Sequence, residues 1–345
     1  MSLQSISSPL PVARAADAPI PATAAINLRR GGSAAWRASG MCVATASALA
    51  THQWVPNLQS PVPTRLYPYL LWTLLGIGVV AFISQALIPA TRPKVRHFAP
   101  LAAAAVLLCC IWDLITLKFD LLPLPYFPGP DLVLQSLQQD WRELLYSASQ
   151  SLLLLLCGYL LGCIVGVVCG VLIGWSPRFR YWGMPLLKVV GPIPATALVP
   201  LAMILFPTAF LSGMALIAAA VWFPVTMLTA SGIANVRISY LDVARTLGAG
   251  RGYLIFRVAI PAALPNIFIG LFMGLGASFL TLIVAETVGA KAGLGWYIDW
   301  AKIWADYAKV YAALAIMAVF FSAIMTLLFK VRDRVLVWQK GVIQW

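Results

Sequence analysis

Hydrophobic positions in this chain fall in long, nearly unbroken runs, not in the alternating or three-to-four spacing of half-buried elements. Seven runs stand out, at about 67–88, 98–117, 147–175, 182–205, 210–231, 264–288 and 307–329. Each reaches or exceeds the roughly 20 apolar residues that a helix needs to cross a bilayer core. The pattern predicts an all-α polytopic membrane protein, because only helices or closed barrels satisfy their backbone groups in lipid. A weaker run, Met41–Trp54, reads either as an eighth span or as an interfacial piece. Between the second and third runs lies the polar segment Pro123–Asp140. There a Pro-rich stretch leads to Asp131, the expected N-cap of an amphipathic helix with Leu132, Leu134 and Leu137 on its apolar side.

Composition agrees with the pattern. The chain has 345 residues, 61% hydrophobic and only 10% charged, against about 25% charged for soluble domains. Its net charge of +13 is accounted for by membrane topology, without nucleic acid as a partner. The basic groups Arg92/Lys94/Arg96, Arg178/Arg180, Arg237–Arg257 and Lys330/Arg332/Arg334/Lys340 all fall on one side of the seven runs. The other side carries Asp120, Asp131, Asp140 and Glu143, and a charge-balanced 289–306 connection. By the positive-inside rule the basic side, including the C-terminus, is cytoplasmic. Seven spans leave the Ala-, Pro- and Ser-rich arm at residues 1–40, read as disordered, on the outer side against that rule. An eighth span at 41–54 brings it inside.

Catalytic chemistry is hard to place. Six cysteines include five within apolar runs, where thiols act as small hydrophobes, and none forms a CxxC pair. The two histidines, His52 and His97, have no acidic neighbour in the sequence, and no Ser/His/Asp or paired-carboxylate arrangement occurs. No metal site is expected. Asp113, Lys188 and Glu286 are the ionisable groups within spans, and each is a candidate for a substrate path because charge is costly there.

Two spans carry special patterns. Gly158, Gly162, Gly166, Gly170 and Gly174 recur every fourth residue along the third, a ridge that lets another helix approach closely. The fourth carries Pro185, Pro192, Pro194 and Pro200 around Gly191. These predict a kinked helix lining a cavity, with Lys188, Pro194 and Thr196 facing the path.

The longest polar interruption, Leu241–Pro265, holds Arg245, Arg251 and Arg257 and the cluster Gly248/Gly250/Gly252. Leu241, Ala244 and Leu247 are spaced as the apolar face of a short helix that ends at Gly248. A basic, partly apolar helix at the cytoplasmic surface suits docking to a protein partner.

This loop reads Asp242-Val243-Ala244, three residues, Gly248, nine residues, Val258, Ala259, Ile260-Pro261. It resembles the signature of the permease subunits of bacterial ABC importers for nitrate, sulfonate, taurine or bicarbonate, in which Glu-Ala-Ala, Gly and Ile-x-Leu-Pro stand at that spacing. Ala244, Gly248 and Pro261 match; Asp242, Val243, Val258 and Ile260 are conservative departures. Ala285–Ile298 and Gly191–Pro200 resemble further family segments, although many relatives have Arg where Gly191 stands. Lys188 is the candidate substitute.

The resemblance covers about two thirds of the chain. It implies a six-helix permease core over 98–333, an extra N-terminal span within 61–97, an arm at 1–60 and a cytoplasmic tail at 334–345. It further implies alternating access driven by a separate cytoplasmic ATPase that docks on Asp242, Ala244, Arg245, Leu247, Gly248, Arg251 and Pro261. An external solute-binding protein and a second permease copy, forming a homodimer in the inner membrane, complete the assembly. No P-loop (Gly, four residues, Gly-Lys-Ser/Thr) occurs, so ATP and Mg belong to the partner and this chain binds no cofactor. The competing reading is an ion-gradient-driven secondary transporter, which would show inverted repeats and midplane charges.

Overall fold

The computed structural model describes residues 39–58, 66–88 and 92–339. The arm at 1–38, the start of the extra-span segment at 61–65 and the last tail residues, 340–345, lie outside the described residues. Among the described residues all regular structure is helical. The apolar runs of the sequence appear as six single helices able to span a membrane, plus one bent pair. Two compact units divide the chain at residues 119 and 120. The segment 98–117, which the resemblance assigns to the permease core, groups with the N-terminal unit.

In the N-terminal unit, α1 covers residues 39–54, so this part of the arm is helical. Its face of Ala44, Thr45, Ala48 and Leu49 is buried, and burial of that face offsets the weak apolar signal that left the segment ambiguous. α2 (Leu66–Leu87) and α3 (Arg92–Asp113) follow, and α3 ends in a wide π turn, Leu114–Lys118. Asp113 is 1% exposed, and its Oδ2 lies 3.0 Å from His52 Nδ1. Lys118 Nζ donates to the His52 and Val55 carbonyls and to Asn57 Oδ1 at 2.6–2.7 Å. The acidic partner that His52 lacks in sequence is thus supplied 61 positions away.

The second unit begins with α4 (Pro130–Gln139), whose N-cap is Gly129 with Pro130 in the first turn. Asp131 is therefore inside the helix and not its cap, because proline's fixed φ suits the first helical position. The buried face is Val133 and Ser136, while the leucines are half-buried.

The core of this unit is the pair α5 (Trp141–Trp175) and α8 (Ala209–Ala234). Along α5, Gly158, Gly162, Gly166, Gly170 and Gly174 lie against Ile217, Val221, Val225, Thr229 and Ile233 of α8. Both series advance by four, so the helices run parallel and stay in register over the whole ridge. A Cβ on any of the five would stand 2.5–2.9 Å from α8 atoms, closer than side chains tolerate. α11 (Ile260–Thr287) covers the other side of α8, with Gly270 and Gly274 against Val225 and Val221. α13 (Tyr307–Val335) completes the unit.

The proline-rich run is a broken span. α6 (Pro177–Val190) ends before the Gly191–Pro194 turn, and a short 3-10 turn leads into α7 (Val199–Leu205), with a bend of 83°. Pro192 and Pro194 lack the N–H groups that would continue α6, which makes the kink expected from sequence a complete break.

Candidate functional site

The polar gap between α8 and α11 folds as α9 (Ile238–Thr246), a single turn α10 (Arg251–Tyr253) and a π turn, Leu254–Ala259, running into α11. Gly248 adopts φ +82°, its N–H reaches Arg245 O at 2.9 Å, and Ala249 N–H reaches Ala244 O at 3.0 Å. This is a Schellman motif, which closes the helix and turns the chain away. A Cβ on Gly248 meets nothing within 4 Å, so glycine is required by conformation and not by space.

Arg245 pairs with Asp242 at 2.9 Å within α9, both ends exposed. Arg251 is exposed, and Pro261 is half-buried in the first turn of α11. The apolar face differs from the sequence expectation by one position. Leu241 and Ala244 turn partly inward, while Tyr240, Val243 and Leu247 are 53%, 61% and 82% exposed. Burial against the π turn, which the sequence does not announce, rotates the helix. A cleft of about 560 Å³ runs beside this face, lined by Tyr240, Val243, Leu247, Gly250, Tyr253 and Arg257.

At the break in the fourth span, Lys188 is exposed in the last turn of α6, Pro194 is exposed and Thr196 half-buried. A Cβ on Gly191 would lie 2.0 Å from the Phe223 ring. A side chain at this position, arginine included, would therefore need Phe223 to move. These residues share one region of the fold.

Glu286 does not join them through its hydrogen bonds. It is 1% exposed and its carboxylate accepts from Ser151 Oγ at 2.6 Å and from Gly295 N at 2.7 Å. Leu294 N donates to the same serine at 2.8 Å. The carboxylate thus fixes the start of α12 (Leu294–Ile303) to Ser151 within α5 and to the end of α11. Gly293, with φ +137°, leaves room for it: a Cβ there would sit 2.5 Å from the carboxyl carbon. These contacts make the Glu286 carboxylate a structural anchor of this corner. Glu286→Gln turns an amide N–H₂ toward one of these two donors. An expected loss of about 1–3 kcal/mol follows from the unmet buried group, to be read as a lower thermal midpoint of the purified protein. An unchanged midpoint contradicts the anchor.

Nearby, Asp140 accepts from Tyr297 Oη at 2.6 Å and pairs with Lys309 at 2.9 Å. Burial pushes the Asp140 pKa up, but the Tyr297 hydrogen bond and Lys309 outweigh it and hold the carboxyl below its ordinary value. Burial first, and then the bond to Asp140, push the Tyr297 hydroxyl up. Together these contacts tie the start of α5 to α12 and α13. Sequence reading missed the roles of Ser151, Gly293, Gly295 and this triad, whose members are far apart in the chain. Among the described residues no three His, Cys, Asp or Glu side chains gather as metal ligands.

A bundle of membrane-length helices, with a basic, partly apolar loop at its surface, defines an integral membrane protein. Residues 158–336 match the family described as "Binding-protein-dependent transport system inner membrane component", and the chain belongs to that family. The match takes in the broken span, α9 to α11 and Glu286. The taurine transport system permease protein TauC of Escherichia coli is 32% identical over 226 residues, 62% of this chain and 80% of its own length. The bicarbonate transport system permease protein CmpB of Synechococcus elongatus is 32% identical over 186 residues, 52% of this chain and 63% of its own. A Bacillus subtilis relative is 37% identical over 162 residues, and the chain spans 59% of its length. An inward-facing structure of the MetNI methionine ABC transporter aligns with 57% of this chain and 98% of that chain at TM-score 0.45 and 14% identity. As a family member the protein is a multi-pass inner-membrane transport component and not an enzyme, and the family implies a solute-binding protein and a separate ATPase as partners.

Proposed function

We propose that this chain is the permease of an ATP-driven importer that moves a small anion of the nitrate, sulfonate, taurine or bicarbonate class into the cytoplasm by alternating access. The observation that carries the reading is the α9 surface. An exposed Tyr240/Val243/Leu247 face beside a cleft, closed by a glycine-dependent Schellman turn, suits insertion into a groove of a cytoplasmic ATPase. ATP and Mg are held by that partner. Asp242, Ala244, Arg245, Leu247, Gly248, Arg251 and Pro261 form or support the docking element.

In this reading the six spans over 98–333 make the transport core, 61–97 adds a span, and the tail at 334–345 is cytoplasmic along with α9. Two identical copies face each other around the path, with Lys188, Pro194 and Thr196 at its bend. The substrate class is supported by the names of the taurine and bicarbonate relatives. Nothing favours the ion-gradient reading once the family is established. The experiment is uptake of labelled taurine, alkanesulfonate, nitrate and bicarbonate by cells expressing the chain with its ATPase and binding protein. One of the four is expected to accumulate, in a way lost with the permease; accumulation of none rejects the substrate class.

A further inference from the structure

The packing face of α6 ends in a cation. Gly183 presses on Ile173 of α5, where a Cβ would come within 2.7 Å, and Leu187 is buried with Ile173 and Ala230. One turn earlier on the same side stands Arg180. Its guanidinium donates to Gly174 O at 3.3 Å, and among the described residues it has no carboxylate partner. One bond from five N–H groups leaves most of its donor capacity open.

Arg180 stands at the rim shared by two hollows. One, of about 320 Å³, is lined by Ile173, Arg180, Met184, Met227, Ser231 and Asn235. The other, of about 330 Å³, is lined by Gly174, Trp175, Pro177, Arg180 and Tyr181. The polar end of the first holds Asn235 Nδ2 bonded to Ser231 Oγ at 3.3 Å, which leaves the serine O–H free to donate. Its floor is apolar, made by two methionines and an isoleucine.

The outer face of α6 indicates the depth of the site. Phe179, Trp182, Leu186 and Val189 follow one helical stripe and are 53%, 77%, 55% and 70% exposed. Tyr181 stacks edge-on with Trp182 at 5.3 Å. Exposed aromatics above exposed aliphatics mark the headgroup level of a bilayer.

We propose that this cavity binds the headgroup of an anionic phospholipid, with Arg180 as counter-ion to the phosphate, Ser231 and Asn235 as neutral donors, and the methionines receiving the glycerol and upper acyl carbons. A free phosphate offers the same charge, but it does not use the apolar floor or the lipid-facing stripe. Basic pockets between membrane helices commonly take such headgroups.

The test is native mass spectrometry of the full chain released from nanodiscs of equal phosphatidylglycerol and phosphatidylcholine. The wild type is expected to retain phosphatidylglycerol preferentially. Arg180→Ala reduces that preference about fivefold, the usual share of one arginine near a membrane surface. Met227→Trp, which fills the cavity and keeps the charge, reduces it as much. Arg178→Ala makes the same charge change two residues away, outside the cavity lining, and leaves most of the preference. No preference in the wild type, or equal losses from Arg178→Ala and Arg180→Ala, overturns the proposal. Displacement of the lipid by excess inorganic phosphate, with Arg180-dependent phosphate retention, also overturns it and assigns the site to the free ion. Nanodiscs offer both leaflets, so the outcome is independent of the chain's orientation and of its transport role.

Discussion

Replacing Gly170 with leucine is expected to separate α5 from α8 and to abolish the folded second unit. An added Cβ would lie 2.5 Å from Thr229 Cβ and 2.8 Å from the Thr226 carbonyl. Both atoms belong to α8, which is held against α5 by four other glycine contacts, so neither helix can yield locally. Overpacking of a close-packed interior typically costs about 1–3 kcal/mol and occasionally more. Here the added side chain exceeds a single methylene and strikes backbone as well as side chain. The measurement is the monodisperse yield and thermal midpoint of the purified protein. Gly170→Ala is expected to give a smaller loss of the same sign. Gly276→Ala in α11, whose added methyl meets nothing within 4 Å, is expected to be harmless, since alanine is the better helix former by about 1 kcal/mol. Equal behaviour of the two alanine variants contradicts the ridge as the structural axis.

The second large effect concerns coupling, with the fold retained. Gly248→Val forces a β-branched residue into φ +82°, a region that costs a non-glycine residue about 1–2 kcal/mol. The chain can relieve that strain by opening the Schellman turn, which moves the end of α9 and the exposed Leu247 away from their docked position. Because Gly248 has open space around it, the spans are not disturbed. Transport is therefore expected to fall about 5–150-fold, the range of a lost coupling free energy of 1–3 kcal/mol, with ATPase activity of the assembled complex largely retained. Gly250→Ala serves as the control, since Gly250 has an ordinary extended conformation with φ −73° and equally open surroundings. Normal transport by Gly248→Val removes the coupling role from this turn.

How much of this was legible in the sequence depends on the range of the interaction. Apolar runs report the local environment of each helix, and so all seven appear as spans or, at Gly191–Pro194, as a broken one. The four-residue glycine period is equally local and pointed to a close helix contact without identifying α8. The 83° bend has a local cause in Pro192 and Pro194, which lack the N–H groups that would continue α6.

Features that need a distant partner were not legible. Ser151 and Glu286 are 135 positions apart, and nothing near either one announces the other. Read alone, Glu286 is a charge in a membrane helix and hence a path candidate; its anchoring bonds to Ser151 and Gly295 appear only in the fold. His52 and Asp113 follow the same logic. The one-position rotation of the α9 face is subtler. Leu241, Ala244 and Leu247 satisfy helical periodicity, but so do Tyr240, Val243 and Leu247, and burial against the π turn decides between them.

The central claim, that ATP hydrolysed on a partner chain drives solute through this one, is tested most directly in proteoliposomes. These contain the permease with its ATPase, with binding protein and labelled solute on one side and ATP on the other. The account predicts accumulation that requires all three proteins and ATP together, and that survives collapse of ion gradients. Uptake that continues without ATP or without the ATPase, or that disappears with the ion gradient alone, contradicts it.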